Sequence, residues 1–405
     1  MPIIVQKFGG TSVGDAQRIH RAARRAISEQ LAGRQVVLVV SAMGDTTDRL
    51  IELARQVAQR PCKRELDMLL STGEQVSAAL VAMAIQDAGH DAVSMTAGQV
   101  GMLTDGCFSA ARIRSIDTSR ILSQLERGRI AIIAGFQGVD PDFNITTLGR
   151  GGSDTTAVAL AAALKAELCE IYTDVDGIYT TDPRVVPQAR RIERISYDEM
   201  LEMASLGAGV MHGRAIELAL KHNVELHVRS SFTDAPGTRI MSLAAGMEEP
   251  LVRGATLKPN VARVAFSNLP NAPGVAATIF GAFGEREIFV DDIMQGVEAG
   301  GAVSLAFTIH PSDLSAARAL AETLAAKYAG SGVQLDDTLA RVSVVGVGMR
   351  SHSGVAATLF QALARERINI ENVTTSEIVI SALVPAADAQ RALQAVHAAF
   401  GLDRA

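Results

Sequence analysis

Tryptophan is absent from the 405 residues, and tyrosine occurs only four times. Aromatic platforms are therefore scarce, whereas 35 glycines and plentiful alanine favour close helix-on-sheet packing. Cysteine is nearly as rare. Cys62, Cys107 and Cys169 are far apart and form no Cys-x-x-Cys pair, which excludes a disulfide framework and a structural zinc site and fits a reducing compartment. The histidines show no His-Glu-x-x-His or other ligand spacing. Long apolar runs are missing too. Ala157 to Leu164, as long as any, stops at Lys165, far short of the ~20 residues that span a bilayer. Lys7 and Gly9-Gly10 interrupt the N-terminus before a signal-length apolar region can form. A cytoplasmic protein is expected, with no membrane partner. The net charge of −6 leaves no basic track for nucleic acid. A site that handles phosphate must here gather its cations locally.

What is present is ordinary globular composition, 48% hydrophobic and 20% charged, in a chain long enough for two or three domains. Up to about residue 232, short Val/Ile-rich runs alternate with helical patterns. Ile3–Phe8, Gln35–Val40, Ile130–Gly135, Glu167–Thr173 and Val224–Val228 read as buried strands. Asp15–Ala32, Thr47–Gln59, Arg64–Ala88, Asp154–Lys165 and Ser196–Ser205 read as helices, the last opened by a Ser196/Glu199 capping box. Such alternation implies right-handed crossovers and a parallel sheet covered on both faces, with ligands at the carboxyl ends of its strands.

Asp234-Ala-Pro-Gly237 and Gly246 to Pro250 break this pattern, so 233–252 reads as a linker. Beyond it the chain repeats itself: Gly274-Val-Ala-Ala-Thr-Ile-Phe280 recurs as Gly354-Val-Ala-Ala-Thr-Leu-Phe360. Each copy is followed and preceded by matching strand and helix patterns, giving a β-α-β-β-α unit twice, over 253–333 and 334–405.

Two glycine-rich loops carry the first chemical signals. Lys7-Phe-Gly9-Gly10-Thr-Ser12 ends the first strand and leads into a helix, where bare amides and the helix end suit phosphate oxygens. The same run also serves as a plain turn before a capped helix, and its order is not that of a Walker A loop. Gly149-Arg150-Gly151-Gly152-Ser153-Asp154 places an arginine fork, suited to a carboxylate or a phosphate, among glycines that suggest a buried site. Asp154 is either a functional acid or a first-turn helix charge. Tyr172-Thr173-Asp174-Val-Asp176-Gly177, with Tyr179, Asp182 and Arg184 after it, follows a buried strand; it lacks the remaining acids of a calcium loop. Asp174 and Asp182 are candidates for nucleotide or Mg²⁺ contacts. Ser71-Thr-Gly-Glu74 reads as the start of a helix segment, and Glu74 as either a first-turn acid or the partner of a substrate ammonium.

Taken in order, Lys7–Ser12, Ser41-Ala-Met-Gly44, Ser71–Glu74, Gly149–Asp154 and Tyr172–Gly177 closely resemble the aspartate kinases of the amino acid kinase superfamily, of the monofunctional length. The C-terminal repeat resembles their paired ACT modules. The resemblance covers nearly the whole chain. It implies an α/β fold, with an amino-acid-kinase-like parallel-rich sheet sandwiched by helices over 1–232, followed by two α+β ferredoxin-like ACT modules. It implies transfer of the ATP γ-phosphoryl group to the β-carboxylate of L-aspartate, the first step towards lysine, threonine and methionine, with Mg²⁺ arriving on the ATP phosphates and no metal site of the chain's own. By the same resemblance, Lys7 and Asp154 are catalytic. Lys7, Gly9, Gly10, Thr173, Asp174, Tyr179, Asp182 and Arg184 contact the nucleotide. Ser41, Thr47, Glu74, Arg150, Gly151, Gly152 and Ser153 form the aspartate pocket. Lysine or threonine as effector would meet Asn271, Ala272, Pro273, Gly274, Val275, Asp292, Gln295, Asn369, Ile370 and Glu371. ACT modules of the family usually pair between chains, which implies a homo-oligomer, or an α2β2 assembly if Met247 starts a shorter ACT-only subunit.

Three positions depart from the family pattern: Gly209 where a lysine is usual, Asn271 where aspartate is common, and Gly296 where asparagine follows glutamine. The first puts ATP affinity in question, with Arg214 as a substitute cation, and the others put effector choice in question. Two other functions remain on the sequence: a sister kinase acting on glutamate, acetylglutamate or a nucleotide, and a degenerate kinase kept as an amino-acid sensor.

Overall fold

The computed structural model describes residues 1–243, 251–298, 300–328 and 330–404. Met247 lies outside them. The chain divides into two units. The first takes Met1–Tyr179, Arg191–Ser205 and the chain from Gly209 to Leu243; the second takes Thr180–Arg190, Leu206–Ala208 and the chain from Leu251 onward.

In the first unit the elements run β1 (Ile3–Phe8), α1 (Ala16–Leu31), β2 (Gln35–Val40), α2 (Thr46–Val57), α3 (Lys63–Asp87), β3 (Ala92–Met95), β4 (Met102–Thr104), β5 (Ile113–Ile116), α4 (Ser119–Glu126), β6 (Ile130–Ala134), β7 (Gln137–Val139), β8 (Ile145–Thr147), α5 (Gly152–Leu164), β9 (Leu168–Thr173), β10 (Arg194–Ile195), α6 (Tyr197–Ser205), α7 (Gly213–His222), β11 (Leu226–Ser230) and β12 (Thr238–Ile240). An eight-stranded sheet has the order β10-β12-β11-β9-β1-β2-β6-β3 and is parallel except for the β11–β12 pair. Its central strands are continuous apolar runs because both faces are covered: every residue of β6 is buried, and all of β2 after Gln35. On one face Ile4, Phe8, Leu38, Val40 and Ile132 pack against Ile19, Ala23, Val81 and Ile85 of α1 and α3. Successive residues of a strand point to opposite faces, so Phe8 enters that core while Lys7 is directed to the other face, towards α5. A separate four-stranded sheet has the order β5-β4-β7-β8.

Three local expectations are revised. The linker stretch contains β12, which pairs with β10 and β11 at the sheet edge. Ser71–Glu74 does not open a helix: α3 is continuous over 25 residues, and Glu74 sits in its interior. By length and composition α3 is also apolar enough to cross a bilayer, with a mean hydropathy of 1.4, but 56% of that window is buried inside the protein.

The second unit contains β13 (Gly254–Leu269), α8 (Val275–Glu285), β14 (Val290–Val297), β15 (Val303–Ile309), α9 (Leu314–Ala325), β16 (Gly332–Val345), α10 (Val355–Arg365), β17 (Asn372–Thr375), β18 (Val379–Pro385) and α11 (Ala389–Ala399). One antiparallel six-stranded sheet, β14-β15-β13-β16-β18-β17, is mirrored about its central pair. β13 and β16 each serve both modules. The register of their pairing shifts between Lys258 and Arg263, which marks the boundary. On one side Ala262–Leu335 forms a core with α8 and α9; on the other, Val252, Ala255, Val342 and Val344 pack with α10 and α11. Residues 254–258, which precede the first repeat in sequence, thus complete the sheet of the second. The repeated glycines also have a reason. Gly274 (φ +94°) and Gly354 (φ +100°) each cap a helix in a left-handed conformation that other residues adopt at a cost.

Candidate active site

Lys7 lies near the carboxyl end of β1, paired with Val39 on one side and Ile171 on the other, in the middle of the eight-stranded sheet. Its Nζ approaches Asp154 Oδ1 to 2.6 Å, and the two side chains are 11% and 12% exposed. Asp154 is in the first turn of α5, whose N-terminal residue is preceded by Gly151 at φ +67°. A Cβ on Gly151 would stand 2.2 Å from His212 Cβ, and one on Gly10 would stand 2.7 Å from Ala42 O. Both loops depend on glycine for close approach. Gly9 contributes differently from the expectation of a free amide. Its N–H donates to Tyr172 O at 3.2 Å, and the missing side chain leaves open the space beside Lys7 Nζ, which a Cβ would approach to 3.5 Å.

The loop after β2 is drawn in by α3. Ser41 N donates to Phe8 O at 3.0 Å, and Ala42 N donates to Glu74 Oε1 at 3.2 Å. Gly73 admits this contact, since a Cβ there would meet Ala42 Cβ at 2.8 Å. Glu74 is buried, and its Oε2 has no hydrogen-bond partner. Burial pushes its carboxyl up to about 7, against the lowering effect of the Ala42 amide. This buried oxygen is open to a donor from outside the protein, a water or a ligand. Thr47 is half-buried in the first turn of α2, Gly152 and Ser153 are buried, and Ser153 Oγ crowds Gly135 at the end of β6. Arg150 is exposed, not buried as the glycines around it suggested. Its charge is met by solvent and needs no protein partner.

Among the residues expected at the nucleotide, Thr173 Oγ1 donates to the exposed Asp174 at 3.1 Å, and Tyr179 OH donates to Asp176 Oδ1 at 2.9 Å. Asp182 and Arg184 belong to the second unit, where the arginine fork holds both oxygens of Asp182 at 3.0 and 2.8 Å. A cavity of about 1080 Å³ opens beside Asp154 and Gly151, lined also by Gly209, His212, Arg112 and Lys221. Arg214 lines it too, but its two terminal nitrogens donate to Leu148 O (2.8 Å) and Ala111 O (2.7 Å). That engagement makes Arg214 a brace of the loop rather than a replacement cation for Gly209. Among the described residues no group of three His, Cys, Asp or Glu is placed to hold a metal ion.

In the second unit the Asn271–Gly274 turn is exposed, as are Gln295 and Asn369, while Val275, Ile370 and Glu371 are half-buried. Asn369 Nδ2 donates to Glu371 Oε1 at 3.1 Å, and Glu371 also faces Arg263 at 3.5 Å. Asp292 is engaged with Arg341 in an ion pair, with hydroxyl donors from Thr308 and Thr374. Sequence reasoning missed the polar network on the Phe8 face of the sheet. Glu170 there accepts from Gln6, Tyr172 and Arg229 at 2.8, 2.9 and 3.0 Å. Burial alone would raise this carboxyl, but bonds from His227, Gln6 and Arg229 outweigh it and hold it at about 2.

Comparison with known proteins converges on one family. Residues 2–230 match the amino acid kinase family, and residues 342–400 match an ACT domain. The aspartate kinase of Pseudomonas putida is 49% identical over 404 residues, covering 100% of this chain and 98% of the relative. E. coli aspartokinase III in complex with aspartate and ADP (R-state) superposes with a TM-score of 0.82 at 29% identity, covering 98% of this chain and 99% of that one. The same enzyme in complex with lysine and aspartate (T-state) gives a TM-score of 0.79, again at 29% identity, covering 98% of this chain and 99% of that one. The chain belongs to the aspartate kinases, with an amino acid kinase body and an ACT-bearing C-terminal part.

Proposed function

We propose that the chain transfers the γ-phosphoryl group of ATP to the β-carboxylate of L-aspartate, giving 4-phospho-L-aspartate in the cytoplasm as the first step towards lysine, threonine and methionine. The observation that carries the reading is the Lys7–Asp154 pair at the carboxyl end of the central strand. A carboxylate with a pKa near 4 is ionised at neutral pH, so the acceptor needs no general base. The obstacle is the approach of an anionic acceptor to an anionic phosphate. Positioning and fixed positive charge are what such a reaction requires. Lys7 neutralises charge on the transferring group, and the N-terminus of α5 adds favourable field. Asp154 holds Lys7 in place. It is spent as a counter-charge and does not act as a base.

Glu74 Oε2 accepts the ammonium of aspartate. Arg150 swings onto its α-carboxylate, and Ser41, Thr47 and Ser153 close the pocket, with Gly151 and Gly152 letting the loop pack closely on His212 and Phe136. Thr173, Asp174 and Tyr179 line the nucleotide, Gly9 leaves room for the phosphates beside Lys7, and Gly10 lets the loop close on Ala42. Mg²⁺ carried on the ATP phosphates would supply further charge neutralisation. The two modules of the second unit, which share β13 and β16, are ACT modules that bind lysine or threonine in an oligomeric enzyme. The E. coli relative's complexes support aspartate as substrate and lysine as an effector.

Trapping the acyl phosphate with hydroxylamine tests the acceptor. Aspartate should yield a hydroxamate, while glutamate and N-acetylglutamate should not. Hydroxamate from glutamate or N-acetylglutamate in preference to aspartate would assign the chain to another acceptor.

A further inference from the structure

Asp67 is fully buried on α3, at 0% exposure. Its carboxylate accepts four hydrogen bonds from only two residues. Oδ2 takes the backbone N–H groups of Ser109 (2.8 Å) and Thr147 (2.7 Å), and Oδ1 takes their hydroxyls at 3.0 and 2.9 Å. All four donors are neutral. Burying a carboxylate this way is costly, and the bonds converge on the seat of one loop.

That seat carries Arg150. Thr147 ends β8, three residues before it. Ser109, at φ +69°, turns its carbonyl oxygen to Gly149, where a Cβ would lie 3.1 Å away. Ala111 N donates to Thr147 O at 2.9 Å, closing the strap. Along α3, Asp67 and Glu74 are about two turns apart and share a face. Glu74 grips the loop after β2 through Ala42 N. One rigid helix therefore holds, through two buried carboxylates, the two loops on either side of the acceptor.

We propose that Asp67 is a positioning residue for the phosphoryl acceptor, fixing the span between Glu74 and Arg150. The inference rests on the reading that these two residues take the ammonium and the α-carboxylate of aspartate. Asp67 touches neither substrate; it acts through the Arg150 loop.

Kinetics of full-length variants test this. In Asp67→Asn the amide oxygen can face the two N–H groups while its NH₂ faces the two hydroxyls, which turn to accept. That variant should keep its KM for aspartate within about twofold. Asp67→Ala should raise the aspartate KM on the order of tenfold and leave the ATP KM within about twofold, as loss of orientation predicts. In an Arg150→Ala background the same substitution should add no more than about twofold, because both changes remove one function. Equal rises in both KM values, or a full tenfold effect on top of Arg150→Ala, would overturn the proposal. Should Asp67→Ala not fold, Thr147→Val removes one hydroxyl donor and keeps the backbone one. It should raise the aspartate KM alone by about threefold, and a rise shared with ATP, or no change, refutes the role. An Arg150→Ala enzyme with an unchanged aspartate KM is a different failure. It overturns the role given to Arg150 and takes this inference with it.

Discussion

Lys7 Nζ stands 2.6 Å from Asp154 Oδ1, an ion pair whose alignment falls outside that of a hydrogen bond. The ammonium keeps donors for another anion. Asp154→Asn retains shape and removes the counter-charge that fixes Lys7. Turnover should fall on the order of 10- to 100-fold, with the aspartate KM little changed. Steady-state kinetics decide it, and a loss confined to KM would move Asp154 out of the phosphoryl site.

Glu74 sets a pH dependence. Its carboxyl is raised from 4.5 to about 7 by burial, and only the ionised form attracts an ammonium. kcat/KM for aspartate should therefore fall about tenfold per pH unit below that value, while kcat, reporting the occupied site, stays flatter. Glu74→Gln should lower kcat/KM and remove the inflection. A wild-type profile flat between pH 6 and 8 contradicts this assignment.

The same shift has a stability consequence of opposite sense. A carboxyl whose folded pKa is raised adds stability that is fully present below its unfolded pKa and is lost as pH rises through about 7. Urea unfolding without ligand should show wild type losing up to about 3 kcal/mol relative to Glu74→Gln between pH 5 and 8. Parallel curves would remove burial as the cause.

Gly209 borders the cavity beside Asp154, and a Cβ there would meet nothing within 4 Å. A lysine fits. Gly209→Lys should lower the KM for ATP several-fold by adding a cation that Arg214, occupied by two carbonyls, does not supply. An unchanged KM shows that the lysine usual in the family is dispensable here.

Lysine and threonine, titrated singly and together against activity, test the C-terminal modules. Inhibition by at least one is expected despite Asn271 and Gly296. Insensitivity to both would remove the regulatory role.

Much of this was legible in the sequence because it is written locally. β1 and β2 were placed to the residue, since buried parallel strands are unbroken apolar runs. The Ser196/Glu199 box was legible for the same reason: Glu199 N and Ser196 N each meet the other's side chain at 3.2 Å. Long-range partnerships were not. Nothing near Asp67 announces that Ser109 and Thr147 will donate to it. The burial of Glu74 follows from a helix continuous through Gly73, where a local reading saw a helix start. Arg150 misled because flanking glycines report backbone conformation, not depth. Residues 254–258 joined the second module because sheet completion depends on which strand edge is left open.

Turnover of Lys7→Ala tests the central claim most directly, namely that fixed positive charge lets an anionic acceptor meet an anionic phosphate. Aspartate-dependent ADP release, followed with saturating ATP, Mg²⁺ and aspartate, should drop on the order of 10³-fold or more relative to wild type. Near-normal release by the alanine variant would contradict the account.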